Sequence, residues 1–194
     1  MANEVVESDR IRRQHGAVIL ARIFQSQSAG VGEGVCRGVV QHWLASHLDA
    51  QRLGVDKILE QFRADVSNLS GSSASKFVAL HDDLKFHSDS QILGALSLGR
   101  SPAIPKSVDR FSLGQITFCF DALFPINGYY YISMEGHCFG LKRADDHIIF
   151  IDANTCEWQI TKAQFKHKAF LVDYVATLYR DQIQLKLTTY WFAS

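Results

Sequence analysis

Hydrophobic residues recur at helical spacing through the first half of the chain. Over Glu7–Phe24 the apolar positions follow roughly the helical period with arginines between them, which predicts an amphipathic helix. The segment Gln25–Gly34 contains three glycines and is predicted to be a loop. Helical spacing resumes over Cys36–Leu48, so a second helix should begin at Cys36. Two further helices are predicted over Val55–Leu69 and Lys76–Leu98.

The pattern changes from helical to strand-like in the second half of the chain. The segment Arg100–Asp109 contains two prolines and is predicted to be the longest loop. Beyond it, short runs rich in aromatic and β-branched residues alternate with turns, which is typical of antiparallel strands. The predicted strands are Gln115–Phe120, Tyr129–Met134, His137–Arg143 and His147–Asp152. A helix over Lys162–Tyr179 and a strand over Gln184–Phe192 follow, so the pattern predicts an α+β fold.

The composition is that of an ordinary globular protein. Of 194 residues, 47% are hydrophobic and 21% are charged, so we expect one domain over residues 1–194, with residues 1–30 as a partly flexible helix and loop. Twenty basic residues balance twenty acidic ones, and no segment combines lysines and arginines with aromatic residues, which argues against nucleic acid as a partner. Because no segment has the apolar run of a signal peptide or a membrane span, we expect neither a cleaved signal nor integral membrane association.

The four cysteines are spread over the chain without any C-x-x-C pair. They are Cys36, Cys119, Cys138 and Cys156. This spacing is unlike that of a secreted disulfide scaffold and predicts reduced thiols. Cys36 differs from the other cysteines because it is the first residue of a predicted helix. The N-terminus of a helix carries partial positive charge and N–H groups without intrahelical acceptors, and both favour a thiolate.

A predicted hairpin brings a histidine and a carboxylate together. If His137–Lys142 and His147–Asp152 pair around a four-residue loop, His137 lies directly opposite Asp152. Directly opposed residues have Cβ atoms about 4.5–5.5 Å apart, so the carboxylate can accept a hydrogen bond from the imidazole. We expect the helix that begins at Cys36 to cover this face of the hairpin and bring its thiol to His137. A cysteine, a histidine and an orienting carboxylate form a nucleophilic triad.

Three short motifs resemble those of a known enzyme family. They are G-V-C-R-G-V-V-Q-H-W-L over Gly34–Leu44, G-H-C-F-G over Gly136–Gly140 and F-I-D-A-N over Phe150–Asn154. In order and spacing they resemble the YopT-type (AvrPphB-like) cysteine proteases, which are bacterial effectors of the papain-like superfamily. The resemblance extends from about Gly34 to Glu157, and it includes a tryptophan two helical turns after the cysteine, matched by Trp43.

The resemblance implies a fold, a site and a reaction. The fold would be papain-like, with the N-terminal helices, including that of the nucleophile, packed on a C-terminal antiparallel sheet. Cys36 would be the nucleophile, His137 the general base and then acid, and Asp152 the residue that orients the imidazole. The substrate would be a host-cell protein, and the enzyme would be a virulence effector, secreted without a cleaved signal peptide and acting in the host cytoplasm. No cofactor or metal is implied, and the oligomeric state is not predicted.

One feature departs from the papain-like pattern. Papain-like enzymes usually take an oxyanion donor from a Gln or Asn side chain shortly before the cysteine, whereas Val31–Val35 contains no amide side chain. Gln25 or Gln27, across the glycine-rich loop, is the alternative donor, and the strength of the oxyanion hole stays open.

The same residues also allow other interpretations of the site. His147 beside Asp145 and Asp146 could form a second imidazole–carboxylate pair. A zinc site could be drawn from Cys138, Cys156, His147 and Asp145, although their spacing is irregular. Trp158 could shield the histidine and aspartate from water or be a core aromatic.

Each triad residue, taken alone, also has a purely structural interpretation. Cys36 could be a packed core cysteine, His137 a strand-end histidine and Asp152 a turn-capping carboxylate. Two alternative functions follow. The triad could belong to a glutamine deamidase or transglutaminase, or the fold could be a catalytically inactive binding module, which the missing amide favours.

Overall fold

The computed structural model describes residues 2–23, 35–68, 75–80, 104–108, 115–117, 120, 126–134, 136–161, 166–180 and 187–192. The helices are α1 (Ala2–His15), α2 (Cys36–Leu53), α3 (Lys57–Ser67) and α4 (Lys166–Leu178), and residues 75–80 are also helical. The strands are β1 (Val18–Arg22), β2 (Ile104–Val108), β3 (Gly128–Met134), β4 (His137–Arg143), β5 (His147–Asp152), β6 (Cys156–Thr161) and β7 (Leu187–Phe192).

The strands form one antiparallel sheet in the order β1-β6-β5-β4-β3-β7-β2. Strands β3 to β6 follow one another as a meander, and β1 joins the sheet beside β6. Helices α1 and α4 pack together on one face of the sheet, and α2 and α3 cover the other. The result is three layers, helices on both sides of a sheet. Among the residues that the structure describes, no helix is both long and apolar enough to cross a membrane.

The sheet separates two hydrophobic cores, because successive side chains of a strand point to opposite faces. The α4-side core includes Phe139, Leu141, Phe150, Trp158, Phe170 and Tyr174. The α2-side core includes Val39, Trp43, Leu44, Tyr131, Cys138 and Ile151. The strands in the middle of the sheet are buried on both faces, which explains their nearly continuous runs of apolar residues.

The predicted helix over Glu7–Phe24 is wrong in its second half. Helix α1 ends at His15, and Gly16 adopts a positive φ of 65°, a conformation that favours glycine. The chain then forms β1, which pairs with β6. The apolar residues that seemed to continue the helix belong to this strand, and a short apolar run does not by itself distinguish the two elements.

Two predictions between Arg100 and Phe120 are also wrong. The predicted loop Arg100–Asp109 contains β2, in which Pro105 pairs with Tyr190 at the end of the described sheet; edge positions tolerate proline. The predicted strand Gln115–Phe120 is helical at residues 115–117 and 120. Strand β6 was not predicted, although its alternation C-E-W-Q-I-T is typical of a strand.

The other predicted elements are found where the structure describes them. Helices α2, α3 and α4 lie within the predicted ranges, apart from the last residues of α2, and β3, β4, β5 and β7 match the predicted strands to within three residues. The predicted loop Gln25–Gly34 lies outside the described residues. Of the predicted helix Lys76–Leu98, only residues 76–80 are described, and they are helical.

The β4–β5 hairpin is shifted by two residues from the predicted register. Asp152 pairs with Phe139 rather than with His137, and Leu141 pairs with Phe150. The Ala144 backbone N–H donates to the His147 carbonyl oxygen at 2.9 Å, so the turn is shorter than the predicted four-residue loop. An even shift keeps every side chain on its face, and His137 and Asp152 therefore stay on the same face as diagonal neighbours.

The position predicted for the nucleophile helix is wrong. We expected the helix from Cys36 to cover the face that carries His137 and Asp152. Instead α4 and α1 cover that face, and α2 lies on the opposite one. The sequence pattern could not distinguish the two arrangements, because both faces of the sheet are apolar.

Candidate active site

His137 and Asp152 form a buried hydrogen-bonded pair. His137 is the first residue of β4 and Asp152 the last of β5, and the His137 Nε2 atom lies 2.9 Å from Asp152 Oδ1. The same oxygen accepts the backbone N–H of Asn154 at 2.8 Å, while the Thr155 backbone N–H donates to the Asp152 carbonyl at 3.0 Å. The turn after β5 thus fixes the carboxylate. Asp152 has no exposed surface, and the His137 side chain is 5% exposed, so little water competes for this bond.

Two tyrosines hold the other oxygen of the carboxylate. The hydroxyl of Tyr174 donates to Asp152 Oδ2 at 2.7 Å, and the hydroxyl of Tyr179 donates to the same atom. Burial alone would raise the pKa of Asp152, but the charge of His137 and the donated hydrogen bonds hold it below the usual value. Neither tyrosine was predicted as a site residue. Their only signal was their place in the C-terminal helical pattern, which gives no indication of what they touch.

Cys36 is the first residue of α2 and reaches the histidine from the other side of the sheet. Its thiol is buried in the α2-side core, close enough to His137 and Cys138 to raise the pKa of both. Because Asp152 holds Nε2 of the imidazole, Nδ1 is the nitrogen left for Cys36. The structure therefore brings together the three residues predicted as nucleophile, base and orienting carboxylate.

The charges around His137 favour the imidazolium. Burial lowers the pKa of His137, but the negative charge of Asp152, its hydrogen bond and the interactions with Cys36 raise it to about 10. At neutral pH the ring is then a cation between a carboxylate and a thiol. An adjacent imidazolium stabilises a thiolate, which is the nucleophilic form of cysteine.

The packing of Trp43, on α2, against Gly140, on β4, sets the distance between α2 and the sheet. A Cβ atom at Gly140 would lie 2.6 Å from Cε3 of Trp43, so only glycine allows the indole to rest on β4. The indole Nε1 donates to Glu157 Oε1 at 2.9 Å. This contact lies two turns along α2 from Cys36, and it fixes the helix that carries the thiol.

Glu157 is a buried charge that links α2, α3 and β6. Its Oε2 accepts Nε of Arg63 at 2.7 Å, and its Oε1 lies 3.4 Å from Nε2 of His47. Burial raises the pKa of Glu157, but the hydrogen bonds from His47 and Arg63 and the charge of Arg63 lower it to about 2. Burial keeps the pKa of His47 below its usual value, so the pair Arg63–Glu157 carries the charges of this cluster.

The residues of the competing interpretations do not come together in a second site. His147 is at the other end of β5 from Asp152, and its Nδ1 lies 2.6 Å from the exposed carboxylate of Asp146. Cys138 belongs to the α2-side core and Cys156 to the α4-side core, so the two thiols of the zinc alternative are on opposite faces of the sheet. Burial raises the pKa of Cys156 to about 12.

Trp158 is a core aromatic. Its ring centroid lies 5.0 Å from that of Tyr174 and 5.8 Å from those of Phe150 and Phe170. Within the described part of the chain, the rings of Tyr179 and Phe139 contact His137 instead. Cys36, Cys138 and Cys156 are buried thiols outside any disulfide, while Cys119, Gln25 and Gln27 lie outside the described residues.

An antiparallel sheet flanked by helices, with a cysteine at the start of one helix and a His–Asp pair on the sheet, is the papain-like cysteine-protease fold. The chain is similar in structure to the Pseudomonas avirulence protein AvrPphB, with a TM-score of 0.57 and 14% sequence identity over 90% of this chain and 96% of that one. It is also similar to PatoxP, the cysteine protease-like domain of the Photorhabdus asymbiotica toxin PaTox, with a TM-score of 0.47, 10% identity and coverage of 98% and 59%. No protein-family model and no curated protein matches the sequence. The likeness to AvrPphB confirms the predicted α+β, papain-like fold.

Proposed function

We propose that this protein is a cysteine protease of the YopT type that uses Cys36, His137 and Asp152 as its catalytic triad. One observation carries the proposal: the buried imidazole of His137 is hydrogen-bonded to Asp152 through Nε2 and lies close enough to the thiol at the start of α2 for that thiol to raise its pKa. A carboxylate on one side and a thiol on the other is the arrangement that nucleophilic catalysis requires.

The reaction we propose is hydrolysis of an amide through a thioester. The Cys36 thiolate attacks the carbonyl carbon, the carbonyl oxygen becomes an oxyanion, and His137 gives its proton to the departing amine as the C–N bond breaks. Water then attacks the thioester while His137 takes a proton from it, and the acid is released with Cys36 restored. Asp152 keeps the imidazole oriented throughout both steps.

The oxyanion would be held by the first turn of α2. Backbone N–H groups at the start of a helix have no intrahelical acceptor, and they stabilise negative charge beside them. Val35, the residue before the helix, caps it without a side-chain hydrogen bond. We propose that the backbone of this turn supplies the oxyanion donors, with Gln25 or Gln27 as a further candidate.

The substrate we propose is a host-cell protein, and the place of action is the host cytoplasm after secretion. The similarity of this fold to an avirulence protein supports the proposal. We also propose that residues 1–194 form one domain, because α1 and α4, from opposite ends of the chain, pack together, and His15 Nε2 lies 2.6 Å from Asp173 Oδ2.

The same three residues would also serve a glutamine deamidase or a transglutaminase. The remaining alternative is a binding module without catalytic activity. A proteomic experiment separates them. Host-cell lysate is incubated with the wild type or with Cys36→Ala, and the peptides are compared by mass spectrometry after labelling of free N-termini. New N-termini that depend on Cys36 support the protease. Conversion of glutamine to glutamate, or new crosslinks, supports the alternatives, and identical peptides in both samples contradict every enzymatic proposal.

A further inference from the structure

Tyr179 contacts both members of the His–Asp pair. Its hydroxyl donates to Asp152 Oδ2, and the hydroxyl oxygen of Tyr179 lies 3.1 Å from Nε2 of His137. Because the Tyr179 hydroxyl hydrogen points to the carboxylate, the lone pairs of the hydroxyl oxygen are available to the imidazole N–H. The imidazole hydrogen then lies between two acceptors, Asp152 Oδ1 at 2.9 Å and the Tyr179 oxygen.

The ring of Tyr179 also covers the imidazole. The two ring centroids are 5.1 Å apart and the planes differ by 18°, which is a stacked arrangement. Phe139 meets the imidazole edge-on at 4.8 Å and meets Tyr179 edge-on at 5.0 Å. An imidazolium over the face of an aromatic ring is stabilised by the electrons of that ring. The stacked ring therefore restricts rotation of the imidazole and favours its charged form.

The position of Tyr179 is fixed by α4 and by the turn after β5. It follows the last residue of α4, and its backbone N–H donates to the Val175 carbonyl at 3.0 Å. The side chain of Asn154, from the turn after β5, donates to the Tyr179 hydroxyl at 3.4 Å. The phenol is thus held from both α4 and the turn that holds Asp152.

We propose that Tyr179 is a positioning residue, which holds the His137 imidazole in the orientation that faces Cys36 by stacking on the ring and by bridging its Nε2 atom to the carboxylate. This proposal rests on the proposed function only for its consequence in catalysis. The orientation of His137 can be measured without any substrate.

Tyr174 provides a matched control. Its hydroxyl donates to the same oxygen of Asp152, and like Tyr179 it is buried, but its hydrogen-bond partners are Asp152 and Thr155. Tyr174→Phe and Tyr179→Phe each remove one hydroxyl from Asp152 Oδ2 and keep the ring. A purely structural role predicts the same effect from both variants, whereas a positioning role predicts a specific effect of Tyr179→Phe on His137.

The test compares the wild type, Tyr179→Phe, Tyr174→Phe and Tyr179→Leu in two measurements. The first is the rate of Cys36 alkylation by iodoacetamide between pH 4 and pH 9. In Tyr179→Phe we expect the acidic limb of the pH–rate profile to move to higher pH. At any pH on this limb, the alkylation rate should then fall about tenfold, which is the order expected for the loss of one hydrogen bond to a charged group. Tyr174→Phe removes an equivalent bond to Asp152 but no contact to His137, so we expect a smaller shift than in Tyr179→Phe, and the difference between the two variants measures the contact of Tyr179 with His137. Tyr179→Leu, which also removes the stacked ring, should react more slowly than Tyr179→Phe.

The second measurement is the pH at which the His137 imidazole loses its proton, followed by NMR of isotope-labelled histidine. We expect Tyr179→Phe to lose the proton at a lower pH than Tyr174→Phe, because only Tyr179 contacts the imidazole itself. Equal behaviour of the two phenylalanine variants in both measurements would overturn the positioning role. If Cys36 of the wild type reacts like an ordinary thiol while the NMR effect is present, the proposed function fails and the role of Tyr179 stands. If Tyr179→Leu does not fold, the two phenylalanine variants still decide.

Discussion

The indole of Trp43 rests on the backbone of Gly140, and a single added methyl group at position 140 would meet it at 2.6 Å. Gly140 is two residues from Cys138 along β4, and Trp43 is on the helix that begins with Cys36. The approach of α2 to the sheet is therefore set by a contact between the motif that contains the histidine and the motif that contains the cysteine.

Gly140→Ala should separate the thiol from the imidazole. The new Cβ must push Trp43 and Ile151 aside, which costs about 1–3 kcal/mol of stability and moves α2 outwards. We expect the rate of Cys36 alkylation at neutral pH to fall by at least about tenfold, equivalent to about 1.4 kcal/mol.

Gly54→Ala is the control for this variant. Gly54 caps the far end of α2 with a φ of 63°, and no atom lies within 4 Å of a Cβ built there. The substitution costs about 1 kcal/mol through backbone strain but leaves the Trp43 contact intact. An alkylation rate in Gly140→Ala no lower than that in Gly54→Ala would show that the contact does not position Cys36.

Glu157→Gln should remove a pH-dependent part of the stability. The pKa of Glu157 falls from 4.5 to about 2 on folding, so its contribution is present above about pH 4.5 and is lost as the pH falls towards 2. By urea unfolding we expect the variant to be about 3 kcal/mol less stable than the wild type at pH 7, with a smaller difference at pH 3.5. Glu60→Gln, exposed on α3, should change stability by less than about 0.5 kcal/mol. A difference of the same size at both pH values would contradict the assigned charge state.

Asp152→Asn should impair the thiol–imidazole pair, whereas Asp146→Asn should not. The first variant keeps the shape of the side chain but removes the charge that favours the imidazolium of His137. We expect Cys36 alkylation at pH 7 to fall at least about tenfold, since a hydrogen bond between charged groups is lost. The second removes the carboxylate beside the competing His147. The opposite order of effects would make His147 the base.

His137 should contribute stability at neutral pH that is lost in alkali. Its pKa rises from 6.5 to about 10 on folding, so the contribution is complete below about pH 6.5 and disappears as the pH rises through 10. The difference in unfolding free energy between the wild type and His137→Gln should therefore shrink between pH 6 and pH 10.5. A difference that grows with pH would show that the ring is neutral in the folded protein.

Local motifs predicted the elements that carry the candidate site better than they predicted how those elements pack. The start of α2 at Cys36 and the hairpin that carries His137 and Asp152 follow from periodicity, and each is a local property of the chain. The register was wrong by two residues because the turn length of a hairpin is not fixed by its strands. His137 and Asp152 still lie on the same face of the sheet, because a shift by an even number of residues keeps each side chain on its face.

The parts that could not be predicted depend on long-range packing. Both faces of β4 and β5 are apolar, so the hydrophobic pattern could not show which helix covers His137. Tyr179 lies 42 residues from His137 along the chain, and its role appears only when α4 is placed on the sheet. Strand β1 was missed for the same reason, since its pairing with β6 joins opposite halves of the chain.

The most direct test of the central claim is the alkylation of Cys36 by iodoacetamide as a function of pH in the wild type and in His137→Ala. Mass spectrometry assigns the label to Cys36 rather than to Cys138 or Cys156. A thiolate paired with His137 predicts a rate that is near its plateau at pH 7 in the wild type and that, in His137→Ala, rises only around pH 8.5, the usual value of a cysteine. The same profile in both proteins, or a Cys36 that stays unreactive in both, would contradict the triad.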